Sequence, residues 1–157
     1  MNELEQKAVI FGTIFALSNR LQVLGDEFDR NVTIKQWLLL VCISKFAEPP
    51  TISEAAALIG YSRQNAKRTA DALQKRGFVS IERDKTDARA QRIRLTPGCR
   101  EYFDRRNPRE IEFLERLFAG FDAELTSGFY EGIVRLEQNT KTLLSLDSIR
   151  FTGDETT

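Results

Sequence analysis

From Glu3 to about Phe28 the apolar residues Leu4, Ala8, Phe11, Ile14, Phe15, Leu21 and Leu24 recur every three or four positions. That period places them along one side of a single long helix, with Gly12 as the only breaker inside it. The stretch "TIKQWLLLVCISKF" opens on a threonine suited to capping and then turns almost wholly apolar, which predicts a second helix from near Thr33, central to the core. "AEPP" stops it, because each proline disfavours helical geometry in the residue before it.

After the extended piece "PTI", Ser53 is expected to cap a short helix "EAAALI", with Gly60 where the helix end favours positive φ. Ser62 then caps "RQNAKRTADALQKR", which ends at Gly77. Two short helices joined through Gly60-Tyr61-Ser62 read as a helix-turn-helix. Alternation follows: Val79 and Ile81 in "FVSIER", Ile93 and Leu95 in "RIRL". These are two strands of a hairpin with a charged tip, in structural terms a wing.

Thr96-Pro97 pairs a capping residue with a proline at the first helical position. The helix it opens is expected to be interrupted or restarted at Pro108. Beyond it Ile111, Leu114, Leu117, Phe118, Phe121 and Leu125, then Phe129, Ile133, Leu136, Leu143 and Leu144, continue the helical spacing, and 148–157 read as a flexible tail. The fold class is therefore mainly α with a small β-hairpin wing. A winged helix-turn-helix core at 33–96 lies between helical regions at 1–30 and 97–147, all in one domain over 1–157.

The terminal helices carry more apolar surface than a winged helix of about 60 residues can cover. A second copy of the chain is the economical partner, and an intertwined homodimer would set two helix-turn-helix units at a fixed separation.

The composition adds exclusions. At 157 residues, 41% hydrophobic and 29% charged, the chain suits one soluble globular domain. No run approaches the ~18 to 20 apolar residues of a membrane span, and the N-terminus has acids where a secretory signal carries bases, so a cytoplasmic protein without membrane attachment is expected. Cys42 and Cys99 are far apart in a chain with no histidine, which suggests reduced thiols and neither a disulfide framework nor a zinc cluster. With no phosphate-binding glycine loop, and no nucleophile and base at recognisable spacing, the chain reads as a non-enzyme without cofactor.

Formal net charge is zero, but from Ser62 to Leu95 ten cationic side chains face four anionic ones. Such a local basic block is the footprint of a site that meets a polyanion. In the second helix of the pair Ala66, Thr69, Ala70 and Leu73 form a small-residue stripe, while Ser62, Arg63, Gln64, Asn65, Lys67 and Arg68 begin the opposite face. Guanidinium groups and amides near a helix N-terminus pair bidentately with guanine and adenine edges in a DNA major groove. The bland alternative is a merely solvated face, against which the cap, turn, stripe and adjoining basic hairpin weigh together.

The stretch "ISEAAALIGYSRQNAKRTADALQKRGFVSIERDKTDARAQRIRLT" resembles the DNA-binding core of MarR-type (multiple antibiotic resistance regulator) transcription factors, down to a wing with an arginine, a following aspartate, an Asp-x-Arg and a closing Leu-Thr. The resemblance implies a homodimeric transcription regulator, a repressor, binding a near-palindromic site in double-stranded DNA. Ser62 to Arg68 would start the recognition helix. Arg89 would be the wing arginine that enters the minor groove, where narrow A·T-rich sequence concentrates negative potential, with Arg83 and Lys85 as further wing cations. Asp87 is either the aspartate that orients an arginine or a turn former at the hairpin tip.

The resemblance also implies a small anionic aromatic effector held near Phe11, Phe15, Arg20, Trp37 and Phe118, although a core or dimer-contact residue is the preferred reading of each. Cys99 stands where the family usually has glycine. Beside Arg100 and a helix N-terminus its thiol pKa is open to lowering, although a structural thiol is the preferred reading over a redox sensor. The rival function is a winged-helix interaction module that binds an acidic protein through the same basic face.

Overall fold

The computed structural model describes residues 1–87 and 89–145; the tail expected at 148–157 lies outside them. Chain contacts divide it into two compact units, Met1–Arg106 and Asn107 onward.

Helix α1 (Glu3–Phe28) starts at an Asn2–Glu5 capping box. The sequence reading overlooked Gly25, the one buried residue of α1: a Cβ there would lie 2.8 Å from Ile34 Cδ1. Glycine is what lets the end of α1 approach the start of α2 (Ile34–Ser44), which is capped by Thr33 with Gln36 as its reciprocal partner. Among the described residues α1 is the one helix long and apolar enough, by length and composition, to cross a membrane. Counting uninterrupted apolar runs missed this, because Asn19, Arg20 and Gln22 break the run without making the helix polar.

Helix α3 (Ile52–Ile59) corrects the expected cap. Thr51, not Ser53, accepts from Glu54 N–H, and Glu54 Oε2 accepts from Thr51 N–H at 2.6 Å. The Thr-x-x-Glu spacing satisfies two otherwise orphaned donors, which a cap at Ser53 would leave unmet. The chain leaves α3 at Gly60 with φ 69°, and Ser62 caps α4 (Arg63–Lys75). Strands β1 (Val79–Arg83) and β2 (Gln91–Leu95) pair antiparallel with Val79 opposite Leu95 and Ile81 opposite Ile93. Ile93 N–H donates to Pro50 O at 2.9 Å, fastening the wing's return strand to the entry of α3.

Leu39, Leu40, Cys42 and Ile43 of α2, Ala55 of α3, Ala70 and Leu73 of α4, and Val79 and Ile93 of the hairpin form one buried cluster. Ile52, Ala56 and Ala66 fill the seam of the helix-turn-helix beneath Tyr61 and Ile81. Small side chains at these positions let the two helices pack closely.

Helix α5 (Pro97–Leu117) is capped by Thr96, whose hydroxyl accepts from Cys99 N–H at 3.1 Å. It runs unbroken through Pro108, correcting the expected interruption; a proline removes one backbone bond there without ending the helix. Cys99 is fully buried and its pKa is pushed up to about 11 by burial, which outweighs the nearby Arg100. Cys42 is also buried and its pKa raised for the same reason. Neither has the stabilised thiolate of a redox sensor.

In the second unit a turn at Gly120, φ 87°, precedes α6 (Ala123–Ser145). No residue of α6 is buried, and Phe129, Ile133 and Leu136 are all exposed.

Candidate nucleic-acid interface

Residues from three elements of the first unit line one open groove: Thr51 and Ser53 at the start of α3, Arg63, Gln64 and Lys67 on α4, and Asp87, Arg89 and Gln91 on the wing. Ser62 orients the first of these walls, since its side chain accepts from Asn65 N–H at 3.2 Å and sets where α4 begins. Arg63 and Gln64 therefore project from the first turn of α4, while Ala66 and Ala70 are turned into the core.

The predicted interface residues differ in how freely they stand. Arg63, Gln64, Arg83, Lys85 and the Arg89 side chain are exposed and engage no side chain among the described residues. Lys67 is ion-paired with Asp71 one turn on. Arg68 Nη2 donates to Asn65 Oδ1 at 3.3 Å, which orients both along the helix surface. The groove thus offers an unpaired guanidinium on each wall, one from the recognition helix and one from the wing.

The wing is held by the aspartate that follows Arg83 in the wing pattern, a residue to which the sequence reading gave no role of its own. Asp84, 8% exposed, accepts from Thr86 N–H at 2.7 Å, Thr86 Oγ1 at 2.6 Å, Asp87 N–H at 2.9 Å and the Arg92 side chain. These donors hold its carboxyl well below the usual carboxylate range. Arg92 Nη1 also donates to Pro49 O at 2.7 Å, so one guanidinium joins the wing to the segment before α3. The aspartate that grips an arginine side chain is Asp84. Asp87 takes the other role expected of it: its Oδ1 accepts from Arg89 N–H and its carbonyl from Ala90 N–H, each at 2.9 Å, forming the turn at the tip. A buried acid beside basic strands carries no local physical signature that separates it from the exposed acids around it, and its place after Arg83 in the wing pattern marked the position without showing what the carboxylate holds.

Of the residues expected around an effector, Phe11 and Phe15 are exposed on α1 with ring centroids 5.1 Å apart, and Arg20 is exposed further along it. Trp37 packs on the core cluster with its indole N–H buried and without an acceptor among the described residues. Phe118 belongs to the second unit, stacked edge-on against Phe121 at 5.3 Å.

Two short helices across a tight turn, followed by a two-stranded wing, define a winged helix-turn-helix protein. Residues 30–90, the span of the helix-turn-helix and most of the wing, match the model of the MarR family. The chain is 31% identical over 102 residues to the transcriptional repressor MprA of Escherichia coli K12, a match covering 64% of this chain and 54% of that protein. The chain spans about half the length of the curated relatives it matches.

Among solved structures it is similar to the PcaV transcriptional regulator of Streptomyces coelicolor in complex with its natural ligand. That similarity has a TM-score of 0.71 at 19% identity, over 82% of this chain and 91% of that one. It is similar also to Streptococcus pneumoniae FabT in complex with DNA, with a TM-score of 0.63 at 17% identity, over 87% and 99% of the two chains.

Proposed function

We propose that this protein is a sequence-specific DNA-binding transcription regulator, a repressor, acting as a homodimer on a near-palindromic operator. The observation that carries the reading is the groove with Arg63 and Gln64 on one wall and Arg89 on the other, their side chains exposed and without a side-chain partner among the described residues. These two walls are the surfaces that a recognition helix in the major groove and a wing arginine in the adjacent minor groove would use. The rigid wing base at Asp84 and Arg92 supports it, since a preorganised cation loses less freedom on meeting a phosphate or a base edge.

The second copy is supported by the apolar faces left open on each unit: Phe11 and Phe15 on α1 are 67% and 60% exposed, and Leu144 on α6 is 76% exposed. Large apolar surface of this kind marks an association site. Two copies would place recognition helices about one turn of DNA, ~34 Å, apart. A small anionic aromatic effector that alters this separation completes the proposal, with the Trp37 indole N–H, buried and without an acceptor among the described residues, as a donor for it.

The test is selection from random duplex DNA with purified protein at near-physiological salt. Recovery of a palindrome with A·T-rich flanks is the expected result. No enrichment from a folded dimer would overturn the reading.

A further inference from the structure

Asp29 is the other buried acid among the described residues and does not line the groove. Asp29 caps the end of α1 and is 7% exposed. Its Oδ1 accepts from Asn31 N–H at 2.9 Å and Val32 N–H at 3.3 Å, while Oδ2 accepts from the Tyr102 hydroxyl at 2.5 Å and lies 3.3 Å from Arg106 Nε. Arg106 sits over the rings of Phe28 and Phe103, at 5.0 and 5.4 Å from their centroids. One carboxylate thereby ties the end of α1, the start of α2 and the first turns of α5 into a rigid joint.

The recognition helix ends on the same joint. Arg76, the C-cap of α4, donates its Nη1 to the carbonyl of Asn31, whose own N–H is held by Asp29. The Arg76 guanidinium also lies 5.4 Å from the centre of the Phe78 ring, and Phe78 stacks edge-on against Tyr102 at 5.1 Å. Two contacts, one polar and one aromatic, therefore connect the end of α4 to the residues that grip Asp29.

Resting on the reading of α4 as a DNA-recognition helix, we propose that Arg76 is a positioning residue, fixing the pose of α4 through Asn31 and the Asp29 joint without touching DNA. The first turn of α4 presents Arg63 and Gln64 to the groove, and the last turn sets the direction in which that first turn points. A helix of 13 residues is about 20 Å long, so a few degrees of tilt at its far end moves the base-reading side chains by about an ångström. Hydrogen bonds that read base edges do not tolerate such a shift, whereas phosphate attraction does. The joint is also the physical contact by which a displacement of α1 or of the start of α5 reaches the recognition helix.

The experiment compares wild type with Arg76→Ala, Arg76→Lys and Tyr102→Phe in the full chain. Arg76 is exposed, so its removal leaves the folded core in place. Amide hydrogen exchange at Arg76, Gly77 and Phe78, whose N–H groups close the end of α4, should accelerate roughly five- to tenfold in Arg76→Ala, less in Tyr102→Phe, and recover in part in Arg76→Lys. Exchange in α3 should not change. On the selected operator, Arg76→Ala should lose roughly five- to tenfold in affinity, while binding to random duplex and the salt slope stay as in wild type.

Unchanged exchange at the end of α4 would overturn the proposal. So would an equal loss on operator and random duplex with the salt slope reduced by about 0.9, which would make Arg76 a direct phosphate contact. If wild type selects no DNA, the proposed function fails, and the exchange measurement alone still decides whether Arg76 holds the helix.

Discussion

Arg92 reaches back from the return strand of the wing to grip the buried Asp84, and in the same reach donates to Pro49 O at 2.7 Å. The tip that carries Arg89 is therefore anchored at its base to the entry of α3, and the wing is part of the folded unit.

The Asp84 carboxyl titrates below the usual range when folded and near ~3.9 when unfolded. A depressed folded pKa means that the unfolded chain takes up protons first as pH falls. The stabilisation is fully present above about pH 4 and is lost progressively below it. Thermal unfolding of wild type and Asp84→Asn should thus differ by a constant amount from pH 5 to 8 and converge in more acid solution. A gap that widened on acidification would contradict the assignment.

Arg89→Ala should weaken operator binding by roughly 1 to 3 kcal/mol and relax the preference for A·T pairs beside the half-site, whereas Lys85→Ala should cost less and act equally on all sequences. Titrations against operators with A·T and G·C flanks separate the two. Equal affinity of wild type and Arg89→Ala on both flanks would remove the wing from the interface.

Gly25→Ala sets a helix-propensity gain of ~1 kcal/mol against a contact with Ile34 that involves Cδ1 at 2.8 Å and also Cγ1 at 3.1 Å and Cβ at 3.2 Å. Because atoms near the Ile34 backbone must move, overpacking should win and leave a net loss of about 1 to 2 kcal/mol. Calorimetry of Gly25→Ala alone and with Ile34→Ala checks the cause, since the shorter side chain removes the contacts with Cδ1 and Cγ1, leaves the one with Cβ at 3.2 Å, and should recover most of the loss.

Burial raises both thiols, Cys99 to about 11, so at pH 8 only about one molecule in a thousand carries its thiolate. Neither cysteine should react with a disulfide reagent such as Ellman's while the protein is folded, and both should react in denaturant. Rapid labelling of the native protein would restore a sensor role.

Much of the fold was legible because its signals are local. Thr33 and Ser62 act on N–H groups three residues away, and Gly60 and Gly77 adopt the positive φ expected of helix ends, at 69° and 77°. The small-residue stripe of α4 needed only the helical period to be seen. Ser53 was mistaken for the cap at Thr51 because both residues suit that role, and the choice fell to the reciprocal bond from Glu54. The first wall of the groove, Arg63 and Gln64, was legible for the same local reason.

Helix positions, strand alternation and the charge of the basic block were determined by the sequence itself, since propensity, capping and periodicity act within about four residues. Only the tertiary structure decided which acids would be buried. Arg92 meets Pro49 across 43 positions, Arg76 meets Asn31 across 45 and Tyr102 meets Asp29 across 73. Asp29 is, in sequence, an ordinary acid among many, and Asp84 is marked there only by its place after Arg83 in the wing pattern. They acquire their roles because packing excludes water from around them, and a carboxylate without water must find its hydrogen bonds in whatever the fold brings near.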